Sequence, residues 1–111
     1  MKSFLEGGSF VLSLNKNKIV MKATLIVTHE VKDVAQWKKV FDEGAAFREK
    51  MGAKVQGVYS AADKPNQITV VSEVADLEQA RAAMATAEFR AVQERGGIIS
   101  APEVRVLQSL N

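Results

Sequence analysis

One histidine, one arginine out of step with its charged neighbours and a few aromatic side chains are the residues here whose types could do chemistry. His29 is the only histidine of 111 residues. With a side-chain pKa close to neutrality, it serves either as a general base or as a hydrogen-bond partner for a ligand; its plainer role is a half-buried imidazole bonded to backbone. On a wheel of about 100° per residue, the segment that follows gathers Val34, Trp37, Val40, Phe41, Phe47 and Met51 on one broad apolar arc, with Gly44 and Ala45 between them. Arg48 falls inside that arc, whereas Lys38, Lys39, Asp42, Glu43, Glu49 and Lys50 lie opposite. A guanidinium turned to the apolar side needs a carboxylate such as Glu30 or Glu73, backbone carbonyls, or the anionic group of a ligand. Trp37, Phe41, Phe47, Tyr59 and Phe89 read first as core, but Trp37 and Tyr59 each have a polar tip able to orient an aromatic guest.

Much other chemistry is excluded. The chain has no cysteine, which removes disulfides, thiolate nucleophiles and sulfur-ligated zinc and suits a reducing, cytoplasmic compartment. One histidine with scattered carboxylates makes no metal site. There is no glycine-rich phosphate loop, no GxSxG elbow and no paired-carboxylate spacing. The net charge of +2 belongs to the opening segment, where Lys2, Lys16 and Lys18 outnumber Glu6; from residue 22 onward acidic and basic side chains balance. No basic stripe for nucleic acid results, and no apolar run reaches the roughly 18 residues of a membrane span. Residues 1–21 read as an N-terminal extension, interrupted at Glu6, Gly7 and Gly8 in a way no secretory signal would be. Within it, Phe10–Leu14 is a possible edge strand; an over-long start is the alternative, since Met21 opens a natural beginning.

The elements that must position these side chains are legible from an internal echo. His29–Gln36, HEVKDVAQ, returns forty-three residues later as Ser72–Gln79, SEVADLEQ. Each copy ends a β-branched strand and places Asp and Gln three apart, the spacing of a helix capping box. The first helix runs from Asp33 to about Met51 and stops at Gly52. Ala53–Ala61 is a second strand with a bulge or close approach at Gly57, and Asp63–Asn66 supply turn chemistry before the strand ITVVSEVA. The second helix, capped by Asp76, reaches about Arg95 before Gly96 and Gly97. Its apolar face is kept by Leu77, Ala80, Met84, Ala87 and Ala91 but missed by Phe89, so the helix is expected to break, with Thr86 as a new N-cap. A strand after Pro102 closes the chain. Residues 22–111 thus form one α+β domain, a ferredoxin-like βαββαβ with a four-stranded antiparallel sheet and both helices on one face. The second sheet face, carrying Thr24, Ile26, Thr28, Thr69 and Val71, is also partly apolar and calls for a cover, most simply a second copy.

HEVKDVAQWKKVFDEGAAFREKMGAK, with DKPNQ, SEVADLEQARAAMATAEFRAVQERGG and PEVRVL, resembles small stand-alone bacterial proteins of the dimeric α+β barrel superfamily, akin to antibiotic biosynthesis monooxygenases and sometimes labelled cyclases. The resemblance covers residues 22–110 and implies a homodimer closed sheet on sheet into a barrel. Gly44 stands where similar chains commonly carry a histidine, so no role needing a second histidine is carried over. The class implied is a monooxygenase, cyclase or isomerase working without a cofactor on a small aromatic or polyketide-like molecule. The site is expected between the first helix and the sheet, with His29 as the catalytic group and Trp37, Phe41, Arg48 and Tyr59 as ligand contacts. A non-catalytic binding protein would share that pocket, and a purely structural dimer would lack it.

Overall fold

The computed structural model describes residues 20–110, and its elements follow the expected order. They are β1 (Ala23–Glu30), α1 (Val34–Glu43), α2 (Ala45–Lys50), β2 (Ala53–Ala61), β3 (Lys64–Val74), α3 (Leu77–Met84), α4 (Ala87–Arg95) and β4 (Glu103–Leu107). The strands form one antiparallel sheet in the order β2-β3-β1-β4. Its two central strands are the first and third in sequence, as interleaved βαβ units require. The expected strand Phe10–Leu14 lies outside the described residues.

Strand alternation sorts the sheet into two faces. Ala23, Leu25 and His29 of β1 and Ile68, Val70 and Val74 of β3 are buried toward the helices. The apolar ones form two clusters, one with Leu77 and Ala80 and one with Val31 and Trp37. Thr24, Ile26, Thr28, Thr69 and Val71 occupy the other face, where the hydroxyls of Thr28 and Thr69 bond each other at 2.9 Å.

The echo turns out to be a reciprocal lock. Asp33 accepts from the Gln36 amide at 3.0 Å and Asp76 from the Gln79 amide at 3.2 Å, both as the sequence predicts. The glutamine side chains do not fold back on their own caps. Gln36 Nε2 donates to the carbonyl of Arg95 at 2.8 Å, and Gln79 Nε2 donates to that of Lys50 at 3.1 Å. Each glutamine therefore satisfies an orphan carbonyl at the C-terminus of the other repeat's helix. The backbone repeats the exchange, Lys32 N–H to Gly97 O at 2.9 Å and Ala75 N–H to Gly52 O at 3.2 Å. Gly52 and Gly97 both sit at φ +74°, the left-handed conformation glycine adopts without strain.

Both helical segments are divided. The break at Thr86 is the expected one: its Oγ1 accepts from the Phe89 amide at 3.1 Å and donates to the Ala83 carbonyl at 2.7 Å. The break at Gly44 replaces the expected continuous first helix. Gly44 N–H is shared between the carbonyls of Val40 and Phe41 at 3.1 Å each, and the ladder resumes at once with Arg48 N–H to Gly44 O. Glycine's low helix propensity permits this tightening. The hairpin is also displaced. Ala62 and Asp63 make the turn, and Pro65 and Asn66 belong to β3, in an irregular stretch where pairing jumps from Ser60↔Ile68 to Ala61↔Lys64. Pro65 has no amide to pair and is tolerated in such a stretch, while the Asn66 carbonyl accepts from Val31 N–H at 3.0 Å and ties β3 to the end of β1.

Thr86→Ala should lower unfolding stability by about 1 kcal/mol, the usual cost of a lost threonine cap, with Thr86→Ser keeping most of it. Urea unfolding measures this, and an unchanged midpoint in the alanine variant would show that Phe89 is held in place without the cap.

Candidate functional site

The helix-facing alternation of β1 ends in His29, which is 7% exposed. Among the described residues neither of its ring nitrogens has a hydrogen-bond partner. A buried imidazole without a protein partner is uncommon in a folded chain. The bland expectation, an imidazole bonded to backbone, is not met. Burial lowers the His29 pKa below its ordinary value, so the ring is neutral near pH 7, with one nitrogen carrying a proton and one bearing a lone pair.

From His29 a ladder of side chains runs along α1 and α2. The imidazole meets Trp37 edgewise, centroids 5.7 Å apart and planes at 60°. Trp37, 5% exposed, stacks on Phe41 at 4.8 Å and 24°. Arg48 lies over Phe41, its Cζ 3.8 Å from the ring centroid, and its Nη1 donates to the Phe41 carbonyl at 2.6 Å. Residues 37, 41 and 48 share one helical stripe because they are spaced by four and seven. Gly44 lets the last of them close in, for a Cβ there would stand 3.3 Å from Arg48 Nη1. Gly96 does the same for Trp37, whose Cδ1 would be 3.3 Å from a Cβ at that position.

The ladder is one wall of a cavity of about 130 Å³ between the helices and the sheet. Leu25, Val27, Val70 and Ser72 form its sheet side, and Phe47 closes against Phe89 of the second repeat at 5.9 Å. An apolar cavity of roughly 150 Å³ accepts a benzene-sized guest, so this one has room for a single ring. The structure brings together four of the five residues expected here: His29, Trp37, Phe41 and Arg48 all line the cavity.

Tyr59 does not, and its assignment is corrected. It pairs with Thr69 on the opposite sheet face and is 58% exposed. A bulge shifts the β2 register between Val55 and Gly57 and presents Val58 to the core. The tyrosine ring lies over Gly57, where a Cβ would be only 2.6 Å from Tyr59 Cζ. Ser72 and Phe89 also line the cavity, beyond the residues expected there. Ser72 left a signal, a small polar residue between Val70 and Val74 on the buried alternation. Phe89 left one too, since the Thr86 restart swings it inward.

Arg48 has neither suggested carboxylate. Glu30 pairs with Lys64 at 2.7 Å and Glu73 with Lys22 at 3.5 Å. Desolvation lowers the Arg48 pKa, an effect Asp42 partly offsets, and a guanidinium still remains charged. Among the described residues no group of three or more His, Cys, Asp or Glu is arranged to hold a metal ion. Nor is any described helix long and apolar enough to cross a membrane.

The depressed His29 pKa has a signed consequence for stability. Between the folded pKa and the unfolded value of about 6.5, the unfolded chain holds a proton that the folded chain refuses. Stability is therefore full above about pH 6.5 and declines as pH falls through that window, by at most about 1.4 kcal/mol per pH unit. Urea unfolding between pH 7.5 and 5 should show this slope, and His29→Gln should flatten it. Equal slopes in the two proteins would show that the folded imidazole titrates as freely as the unfolded one.

No family model and no curated protein matches the sequence. Solved structures match it in fold. A candidate antibiotic biosynthesis monooxygenase from Caulobacter crescentus superposes with a TM-score of 0.67 at 18% identity, over 83% of this chain and 92% of that one. A second candidate of the same description, from Nitrosomonas europaea, gives 0.64 at 14% identity over 86% and 96%. SnoaB, a cofactor-independent oxygenase from Streptomyces nogalater, gives 0.61 at 21% identity over 80% and 96%. The expected resemblance thus holds at the level of architecture: the chain has the ferredoxin-like α+β fold found in antibiotic biosynthesis monooxygenase-like proteins.

Proposed function

We propose that this protein is a sheet-to-sheet homodimer that binds a small aromatic molecule between α1 and the sheet, with His29 as the base that removes a proton from it. The observation carrying the reading is His29 itself, a buried imidazole with both nitrogens unpaired in the wall of an apolar cavity. A ligand hydroxyl or carbonyl would supply the missing partner. Because burial keeps the ring unprotonated near neutral pH, it is ready to accept a proton from a bound phenol or enol. Proton removal is the first step shared by a cofactor-free oxygenase and by a cyclase or isomerase, and the fold shared with SnoaB supports that class. A cavity of about 130 Å³ favours one ring over the fused rings of a polyketide-like molecule.

The dimer reading is supported by the sheet face that the helices leave uncovered. Ile26 and Val71 lie there among Thr24, Thr28 and Thr69, and Tyr59 projects from the same face. A second copy laid on this face would bury it and remove an apolar surface from water. Sedimentation equilibrium at micromolar concentration should give twice the 12.1 kDa chain mass, and Val71→Lys should yield monomer. A native monomer would remove the dimer from the reading.

Single-ring phenols and hydroquinones should raise the melting temperature of the native protein, while three-ring compounds should not. Oxygen uptake with a hydroquinone would identify an oxygenase. His29→Ala should abolish turnover while single-ring compounds still bind; if binding and turnover both survive, His29 is not the base. A native protein stabilised by no aromatic compound would sink the binding reading as a whole.

A further inference from the structure

Arg48 is where the cavity wall carries charge, and among the described residues no carboxylate is in direct contact with it, Asp42 acting only from a distance. A guanidinium presents five N–H donors in a planar fork. One hydrogen bond is made, from Nη1 to the Phe41 carbonyl at 2.6 Å. Among the described residues Arg48 forms no ion pair. Asp42, the acid whose charge is felt at Arg48, is itself held by Lys38 Nζ at 2.9 Å to each of its oxygens. Glu30 and Glu73 are engaged by other lysines. The group is half-buried and has already lost part of its hydration, so an anion brought to it gains more than one brought to a surface arginine.

Its place in the wall gives the ligand a direction. Arg48 stands at one end of the ladder and His29 at the other, with Phe41 and Trp37 between. Trp37 stacks on Phe41 and the guanidinium lies over the same ring; two groups that close cannot share one face, so the ring meets the cavity by its edge. A ring edge carries the positive end of the quadrupole and favours the face of an electron-rich ring. The opening at Gly44 is part of the device, since a side chain there would crowd Nη1.

We infer that the ligand of this cavity is a single-ring aromatic acid, its carboxylate paired with the Arg48 fork and a ring hydroxyl at the far end hydrogen-bonded to His29. This rests on the aromatic site proposed above and narrows it to an anion with an electron-rich ring. Gly44 and Arg48 set the specificity, and His29 meets the hydroxyl.

The test is calorimetric, with 4-hydroxybenzoate, 4-hydroxyphenylacetate and 3-(4-hydroxyphenyl)propionate as probes, each beside its methyl ester. On the native protein the best acid should bind at least tenfold more tightly than its ester. Arg48→Met should weaken the acid at least tenfold and leave the ester within twofold. Arg48→Lys, which keeps the charge but not the fork, should fall between. Replacing the ring hydroxyl by a methoxy group should weaken native binding as well. Esters and plain phenols that bind as well as the acids would overturn the inference and leave the aromatic site standing. Failure of all these compounds to bind would overturn both. The acid-to-ester ratio on native protein decides the question even if an Arg48 variant does not fold.

Discussion

The exchange of helix ends between the two repeats is the constraint on which the rest of the molecule depends. Gln36 reaches the carbonyl of Arg95 and Gln79 that of Lys50, while Gly97 and Gly52 receive backbone amides from Lys32 and Ala75. A helix terminus leaves several carbonyls without partners, and burying them unpaired would be costly. Here each repeat closes the other's helix, so neither βαβ unit is complete alone. Gly96 lies close under Trp37, where a Cβ would stand 3.3 Å from Cδ1, and Gly97 takes the left-handed φ of +74° beside the Gln36 amide. With both ends of both helical segments held in this way, their middles are free to break, and they do so at Gly44 and Thr86.

Those two breaks make the cavity. A straight first helix would carry Arg48 past Phe41; the tightening at Gly44 instead brings Nη1 within 2.6 Å of the Phe41 carbonyl and the guanidinium over its ring. The restart at Thr86 turns Phe89 onto Phe47 and closes the far side. What remains between helices and sheet is apolar except for His29, Arg48, Ser72 and Gln93. A core optimised only for stability would fill the space and avoid a histidine with two unpaired nitrogens. Violations of this kind are what the binding proposed above asks of the fold.

Tyr59 shows how narrow the margin was on the sheet. One extra residue in β2 reverses which side chains face the helices. The register shift between Val55 and Gly57 turns Val58 inward and Tyr59 outward, where its ring covers the glycine. The tyrosine thereby belongs to the same face as Ile26 and Val71, the face that none of the described helices covers.

Order and periodicity were written in the chain itself: the strand, cap, helix, glycine sequence occurring twice set βαββαβ, because capping and glycine stops are local interactions that act wherever the residues occur. The wheel placed Trp37, Phe41 and Arg48 on one stripe for the same reason, and Thr86 announced its break through the mismatch of Phe89. Tertiary structure alone decided the partners. Whether Arg48 met Glu30, Glu73, a carbonyl or open space depended on residues far along the chain, and Lys64 and Lys22 took the two acids. The glutamines of the caps could bond their own helix or the other one, a choice made by the packing of the repeats. The direction of Tyr59 hung on a single bulge, which alternation in sequence does not count. The two unpaired nitrogens of His29 were likewise invisible, since an imidazole is left without partners only by everything that fails to surround it.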